Sequence, residues 1–166
     1  MAWAFLRLID GALATAMRPP GPTLRERAVR LLARREHSRE EMRRKLARLA
    51  PQAESVEALL DELAQRGWLS DARFAEHAIR AGARRFGPLK LAQELRDRGI
   101  DEETIAAGFH AAGEDGKSHI DAVWGRRFHA APTNDRERAR QVRFLQQRGF
   151  GLEEVLKFLK AAGKTR

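Results

Sequence analysis

Leu95-Arg96-Asp97-Arg98-Gly99-Ile100 and Leu145-Gln146-Gln147-Arg148-Gly149-Phe150 lie fifty residues apart and share one pattern: an apolar residue, three polar ones ending in Arg, then Gly and another apolar residue. This is how an amphipathic helix stops, because a left-handed glycine closes its last turn and the apolar residue after it folds back onto the helix. The match continues past the turn, where Glu103 and Ile105 align with Glu153 and Val155. Leu46 and Val56 occupy the corresponding places of a more divergent copy forty-nine residues earlier. An Arg pair precedes the middle helix of each copy, at Arg34-Arg35, Arg84-Arg85 and Arg126-Arg127, and a longer loop containing Pro132 follows the last pair. A helical motif recurring at about fifty residues predicts a tandem array of three units, each of three helices.

Helix starts are marked as clearly as the stops. A small capping residue is followed three positions later by Glu at Thr23/Glu26, Ser38/Glu41, Asn134/Glu137 and Gly151/Glu154, and Gly87-Pro88 adds a start with Pro at the first helical position. Gly67 marks a further stop. Between these signals apolar residues recur at helical spacing, as in Val56, Leu59, Leu60 and Leu63 or Leu152, Val155, Leu156 and Leu159. The spacing predicts helices over residues 24–35, 38–49, 53–66, 71–85, 88–98, 102–112, 117–128, 135–148 and 152–162. The expected fold is all-α, three tandem three-helix repeats forming an elongated, curved array, with an appendage and Pro-rich linker over 1–22 and repeats over 23–68, 69–115 and 116–166. Each unit is expected to leave part of its apolar stripe for its neighbour to cover, so that stability comes from stacking.

Composition agrees with helices: Ala, Leu, Arg and Glu dominate and Tyr is absent. Cys is absent too, which removes disulfide and thiolate chemistry and fits a reducing cytoplasm, the expected location. The apolar run from Trp3 to Met17 is broken by Arg7 and Asp10 and is too short for a membrane span, and nothing basic precedes it as in a signal peptide. Met17 is a second candidate start.

The chain carries 32 Lys+Arg against 23 Asp+Glu, a net +9, which directs attention to phosphates or an acidic protein surface. The charge is segmented: +7 over residues 1–50, −4 over 51–77, +4 over 78–99, −5 over 100–116, +5 over 117–148 and +2 over 149–166. The first and second helices of units one and two are thus basic and the third acidic, with Glu54, Glu57 and Asp61 on one face. Glu40 with Arg44 and Glu41 with Lys45 are i,i+4 pairs that support their own helix. Two clusters read as unpaired partner or DNA contacts. They are Arg84, Arg85, Lys90, Arg96 and Arg98 in unit two, and Arg126, Arg127, Arg136, Arg140, Arg143 and Arg148 in unit three. Arg forks recognise carboxylate and phosphate alike, so both partners stay open.

Catalytic chemistry is not expected. Gly116-Lys117-Ser118 looks like the end of a phosphate-binding loop, but Ala111 stands where that loop needs Gly and a helix, not a strand, precedes it. The five His residues, 37, 77, 110, 119 and 129, show no metal-ligand spacing, so neither metal nor cofactor is expected. Ser38 and Ser70 are assigned to helix caps. Trp68, Phe74, Trp124, Phe128, Phe144 and Phe150 are assigned to cores instead of base-stacking platforms.

The string Gly67-Trp68-Leu69-Ser70-Asp71-Ala72-Arg73-Phe74-Ala75, followed by Gly87-Pro88, Glu94-Leu95, Arg98-Gly99-Ile100 and Arg143-Phe144-Leu145-Gln146-Gln147-Arg148-Gly149-Phe150, resembles the bacterial RecX family over about residues 23–162. The resemblance implies a monomeric regulator that lies in the groove of the RecA filament on single-stranded DNA. It implies limits on filament growth, strand exchange, ATP hydrolysis and co-protease activity. Weak direct DNA binding is expected beside filament binding, and an autonomous nucleic-acid-binding helical repeat is the alternative. The alternation of charge along the repeat favours a mixed protein and DNA filament over bare DNA.

Overall fold

A computed structural model describes residues 21–49, 56–116 and 118–163. Within them the chain forms α1 (Leu24–Leu32), α2 (Arg39–Ala47) and α3 (Val56–Gln65), then α4 (Asp71–Gly82), α5 (Pro88–Arg96) and α6 (Glu102–Gly116), then α7 (Ile120–Gly125), α8 (Asp135–Gln147) and α9 (Leu152–Ala162). No strand occurs among the described residues. The apolar run from Trp3 to Met17, the predicted helix start at 53–55, and Glu54 and Lys117 lie outside them. No helix among the described residues is long and apolar enough to cross a membrane.

The expected punctuation is present atom by atom. Thr23 Oγ1 accepts from Glu26 N while Glu26 Oε2 accepts from Thr23 N, a reciprocal cap. Ser38, Ser70 and Asn134 each accept from the backbone N–H three residues on. Gly67, Gly99 and Gly149 have φ of +70°, +79° and +91°. After each, the apolar residue donates its N–H back across the turn, Trp68 to Leu63 O (2.9 Å), Ile100 to Leu95 O (3.1 Å) and Phe150 to Leu145 O (3.2 Å). The first helices of all three units are shorter than predicted. Arg34 N bonds to Leu31 O (3.1 Å), Arg85 N to Gly82 O (2.8 Å) and Arg127 N to Trp124 O (3.0 Å), so the Arg pairs sit in tight closing turns instead of in the helices. Helix α6 breaks at Gly113 (φ 54°), next to its predicted end.

The expectation that neighbours complete one another's cores is overturned. Among the described residues the buried side chains form three separate clusters, one per unit. They centre on Met42, Leu46, Leu60 and Leu63, on Phe74, Ile79, Leu95 and Ile105, and on Val123, Leu145, Phe150 and Val155. Each three-helix unit closes its apolar faces around its own centre, leaving loop backbone and polar side chains to join the units. Leu69, just past the Gly67 turn, packs in the first core.

Both joints use the same parts: the start of one unit's second helix sits on the glycine turn that ends the next unit's second helix. At the first joint Ser38 Oγ donates to Arg98 O (2.8 Å) and Arg44 reaches Asp97 O (3.3 Å). Beside them Arg39 N donates to Asp71 Oδ1 (2.7 Å) and Arg73 pairs with Glu36 (3.0 Å). At the second joint backbone replaces side chains, with Gly87 N donating to Arg148 O (2.8 Å) and Leu89 N to Gly149 O (3.1 Å). The approach is close enough that a Cβ on Gly87 would lie 2.7 Å from Phe150 N, and one on Gly149 2.6 Å from Lys90 N.

Candidate partner-binding surface

The two predicted cationic clusters flank the start of the second helix in units two and three. In unit two, Arg84 and Arg85 are exposed in the segment after α4. Phe86 follows them, with the Arg85 guanidinium 5.3 Å and Lys90 Nζ 4.4 Å from its ring centre. Arg98 stands 5.6 Å over Phe74, and together with Arg85, Phe86 and Glu94 it edges a hollow floored by Ile79, Leu91 and Leu95. Exposed cations gain a modest attraction from such rings and are held in place by them.

Unit three repeats the arrangement with more charge. Arg126 and Arg127 are exposed after α7, and Phe128 follows them into a buried position. Arg140 stands 5.6 Å over Phe128 and Arg148 5.2 Å over Phe144, and the two rings meet edge to face at 5.3 Å. Arg127, Arg140 and Arg143 edge a hollow over these rings. A wider one, about 500 Å³, is lined by Asn134, Arg136, Glu137, Arg140 and Arg143. Its carboxylate is already engaged: Glu137 accepts from Thr133 N (2.9 Å) and Thr133 Oγ1 (3.0 Å), which with nearby Arg140 hold its pKa below the usual range. A buried polar tie fixes α8 against α7, Trp124 Nε1 donating to Gln141 Oε1 (2.8 Å) and Gln141 Nε2 to Ala130 O (3.2 Å).

One member of the clusters is not unpaired. Arg96 forks onto Glu102, its Nη2 3.1 Å from Oε2, because the short turn between them brings the end of α5 against the start of α6. The pair raises the Arg96 pKa and lowers that of Glu102.

The basic first two helices of unit one are largely neutralised from within the unit. Arg39 pairs with Asp61 (2.6 Å) and Glu57 (3.1 Å), and Arg43 with Glu57 (2.6 Å) and Glu40. Arg44 pairs with Glu40 (2.9 Å), and Arg35 forks onto Glu41 (3.0 and 2.5 Å). The Arg43 guanidinium, helped by Arg39, holds the Glu57 carboxyl down to about 2. Much of the alternation in sequence is therefore α3 neutralising α2. Beside this network His37 is buried, its Nδ1 2.9 Å from Arg35 O and its Nε2 2.9 Å from Lys45 Nζ. Burial lowers its pKa, and the two contacts fit a neutral ring that donates at Nδ1 and accepts at Nε2.

Two further features escape the sequence reading. The Arg pairs of units two and three are Arg-Arg-Phe triplets, Arg84-Arg85-Phe86 and Arg126-Arg127-Phe128, whereas unit one has Arg34-Arg35-Glu36. Aligning the pairs with their following residue would have exposed this. Trp68, assigned to a core, is 44% exposed under the Arg66 guanidinium, 5.4 Å from its ring. The left-handed Gly67 turns the chain so that Leu69 enters the core in its place.

Comparison with known proteins gives one answer along the whole array. Family models match in chain order: RecX, first three-helix domain, over residues 25–63, RecX, second three-helix domain, over 70–108, and RecX, third three-helix domain, over 117–159. Regulatory protein RecX of Chromobacterium violaceum is 40% identical over 143 residues, covering 86% of this chain and 93% of that protein. Regulatory protein RecX of Ralstonia nicotianae is 41% identical over 140 residues, covering 84% and 88%. The crystal structure of RecX from Lactobacillus salivarius matches with a TM-score of 0.63 at 18% identity, over 83% of this chain and 95% of that one, a likeness of fold. With three successive three-helix domains matched in order and close relatives spanned nearly end to end, the chain belongs to the RecX family.

Proposed function

We propose that this chain is a non-catalytic regulator that binds the RecA nucleoprotein filament on single-stranded DNA and restrains its strand exchange, ATP hydrolysis and co-protease activity in DNA repair and the SOS response. It acts as a cytoplasmic monomer. Membership of the RecX family along all three units is the observation that carries the reading. The geometry supports it in one respect. Units two and three each present a hollow edged by the Arg-Phe pair that follows the first helix, Arg85 with Phe86 and Arg127 with Phe128, and two linked contacts suit a partner that itself repeats. The candidate contacts are Arg84, Arg85, Lys90, Arg98, Arg126, Arg127, Arg136, Arg140, Arg143 and Arg148. Arg96 is the weaker candidate, because a partner must first displace Glu102.

The test adds the purified chain to RecA assembled on single-stranded DNA and follows DNA-dependent ATP hydrolysis and filament length. Both are expected to fall at stoichiometric protein. Unchanged hydrolysis and unchanged filaments would overturn the proposal and leave the autonomous nucleic-acid binder in its place.

A further inference from the structure

The turn after each unit's first helix packs beside the first half of its second helix, and one position there changes sign along the chain. It is Glu41 in unit one, Lys90 in unit two and Arg140 in unit three, at the offsets of forty-nine and fifty residues that relate the repeats. Glu41 neutralises Arg35 by forking onto it. Lys90 instead joins Arg85 over the Phe86 ring, and Arg140 stands over Phe128 at the hollow that Arg127 also edges. A second change works in the same direction. Glu57 and Asp61, which bind the α2 arginines, correspond in unit three to Leu156 and Lys160, so α9 offers α8 no acid at those places.

We infer that units two and three each carry an anion-binding element, cations gathered at the aromatic ring that follows the Arg pair, that unit one has lost through Glu36 in the place of the ring and Glu41 in the place of the cation, and that the two elements grip a nucleic-acid phosphate chain. Three observations favour phosphates over an acidic protein surface. The hollow beside α8 is lined only by polar and charged residues, whereas protein interfaces are built around desolvated apolar anchors with few charges at their centre. Arg136, Arg140 and Arg143 fall on one side of α8 over roughly 10 Å of helix axis, a stripe rather than a single point of charge. Arg136 and Arg140 are also like charges at i,i+4, an arrangement that weakens an isolated helix and is relieved by a bound polyanion. Nucleic-acid contact therefore belongs to units two and three, with unit one free for other contacts. The inference deepens the proposed RecA-filament role by saying which part of the chain faces nucleic acid, and its test contains no recombinase.

The test measures binding of the full chain to a labelled single-stranded oligothymidylate by fluorescence anisotropy across a salt series. Removing two phosphate contacts with Arg140→Gln and Arg143→Gln is expected to reduce the slope of log affinity against log salt by about 1.4, or roughly 25-fold at 0.1 M salt for lines that meet at 1 M. Arg85→Gln with Lys90→Gln is expected to act alike. Arg34→Gln with Arg48→Gln removes the same charge from unit one and is expected to leave the slope unchanged, with circular dichroism verifying the fold of each variant. Equal losses from all three pairs would overturn the inference by reducing it to net charge. So would absence of oligonucleotide binding, or competition by polyglutamate as effective as by unlabelled oligonucleotide. If oligonucleotide binding follows the expected pattern while RecA filaments are unaffected, this inference stands and the RecA-filament proposal falls.

Discussion

Replacing Gly87 by Ala tests whether the second joint is held by backbone contact. Gly87 has φ −79° and ψ 167°, which Ala adopts without strain, so a loss of stability has to come from the added methyl group. That methyl would lie 2.7 Å from Phe150 N and closer still to Gly149 O, and no rotamer moves a Cβ. The loop must withdraw, giving up Gly87 N to Arg148 O and Leu89 N to Gly149 O. At about 1 kcal/mol net for each bond, the cost is about 2 kcal/mol, and more where a donor stays buried without a partner. Two other glycines calibrate this figure. Gly67 has φ +70° and open space around its Cβ direction, so Gly67→Ala isolates the left-handed penalty of about 1 kcal/mol. Gly149→Ala combines both effects, about 3 kcal/mol. Urea denaturation gives the three values, and amide exchange at Gly87 and Leu89 reports the joint itself. The separate cores add a signature, because weakened coupling is expected to split one transition into two. The reasoning fails if Gly87→Ala costs no more than Gly67→Ala with both amides still protected.

Further outcomes are expected elsewhere. His37 has a lowered pKa in the fold, so the unfolded chain takes up its proton first as the solution is acidified. Stability is full above the ordinary His value of about 6.5 and declines as pH falls from there through the folded value. Denaturation of His37→Gln at pH 8 and pH 5 should show a smaller acid loss than the parent, and an identical loss would assign the acid sensitivity elsewhere. Gln141→Leu leaves Trp124 Nε1 and Ala130 O without their partners, and a cost of about 2–4 kcal/mol is expected in urea. A change below about 0.5 kcal/mol would mean the tie is dispensable. Arg84→Glu with Arg85→Glu is expected to weaken RecA filament binding with the far-ultraviolet dichroism unchanged. Loss of helix would instead make the pair structural.

The features legible in the sequence are those the chain decides locally. The stops at Gly67, Gly99 and Gly149, the caps at Thr23, Ser38 and Asn134, and Pro88 at a first helical position all depend on residues within one turn of each other. Errors begin where two helices must be oriented. Arg96 reads as unpaired because Glu102 belongs to the next helix, and the pairing of Arg39 and Arg43 with Glu57 and Asp61 goes unread because these acids lie across a loop. Each pairing depends on how a helix is rotated about its own axis, which no local pattern records. The independence of the cores is hidden for another reason. A period of about fifty is compatible with units that share a core and with units that do not, and only the inward packing of Leu46 and Leu60, Ile79 and Leu95, and Leu145 and Val155 decides between them. The candidate surface is half legible, its cations visible in sequence and the aromatic rings beneath them passing as ordinary core.

The two joints are made differently although their parts correspond. Side-chain hydrogen bonds and the Arg73–Glu36 ion pair hold the first, and peptide groups in near contact hold the second. Charge screening reaches the first joint through its ion pair and leaves the peptide contacts of the second largely untouched, so added salt is expected to loosen unit one from unit two before unit two from unit three.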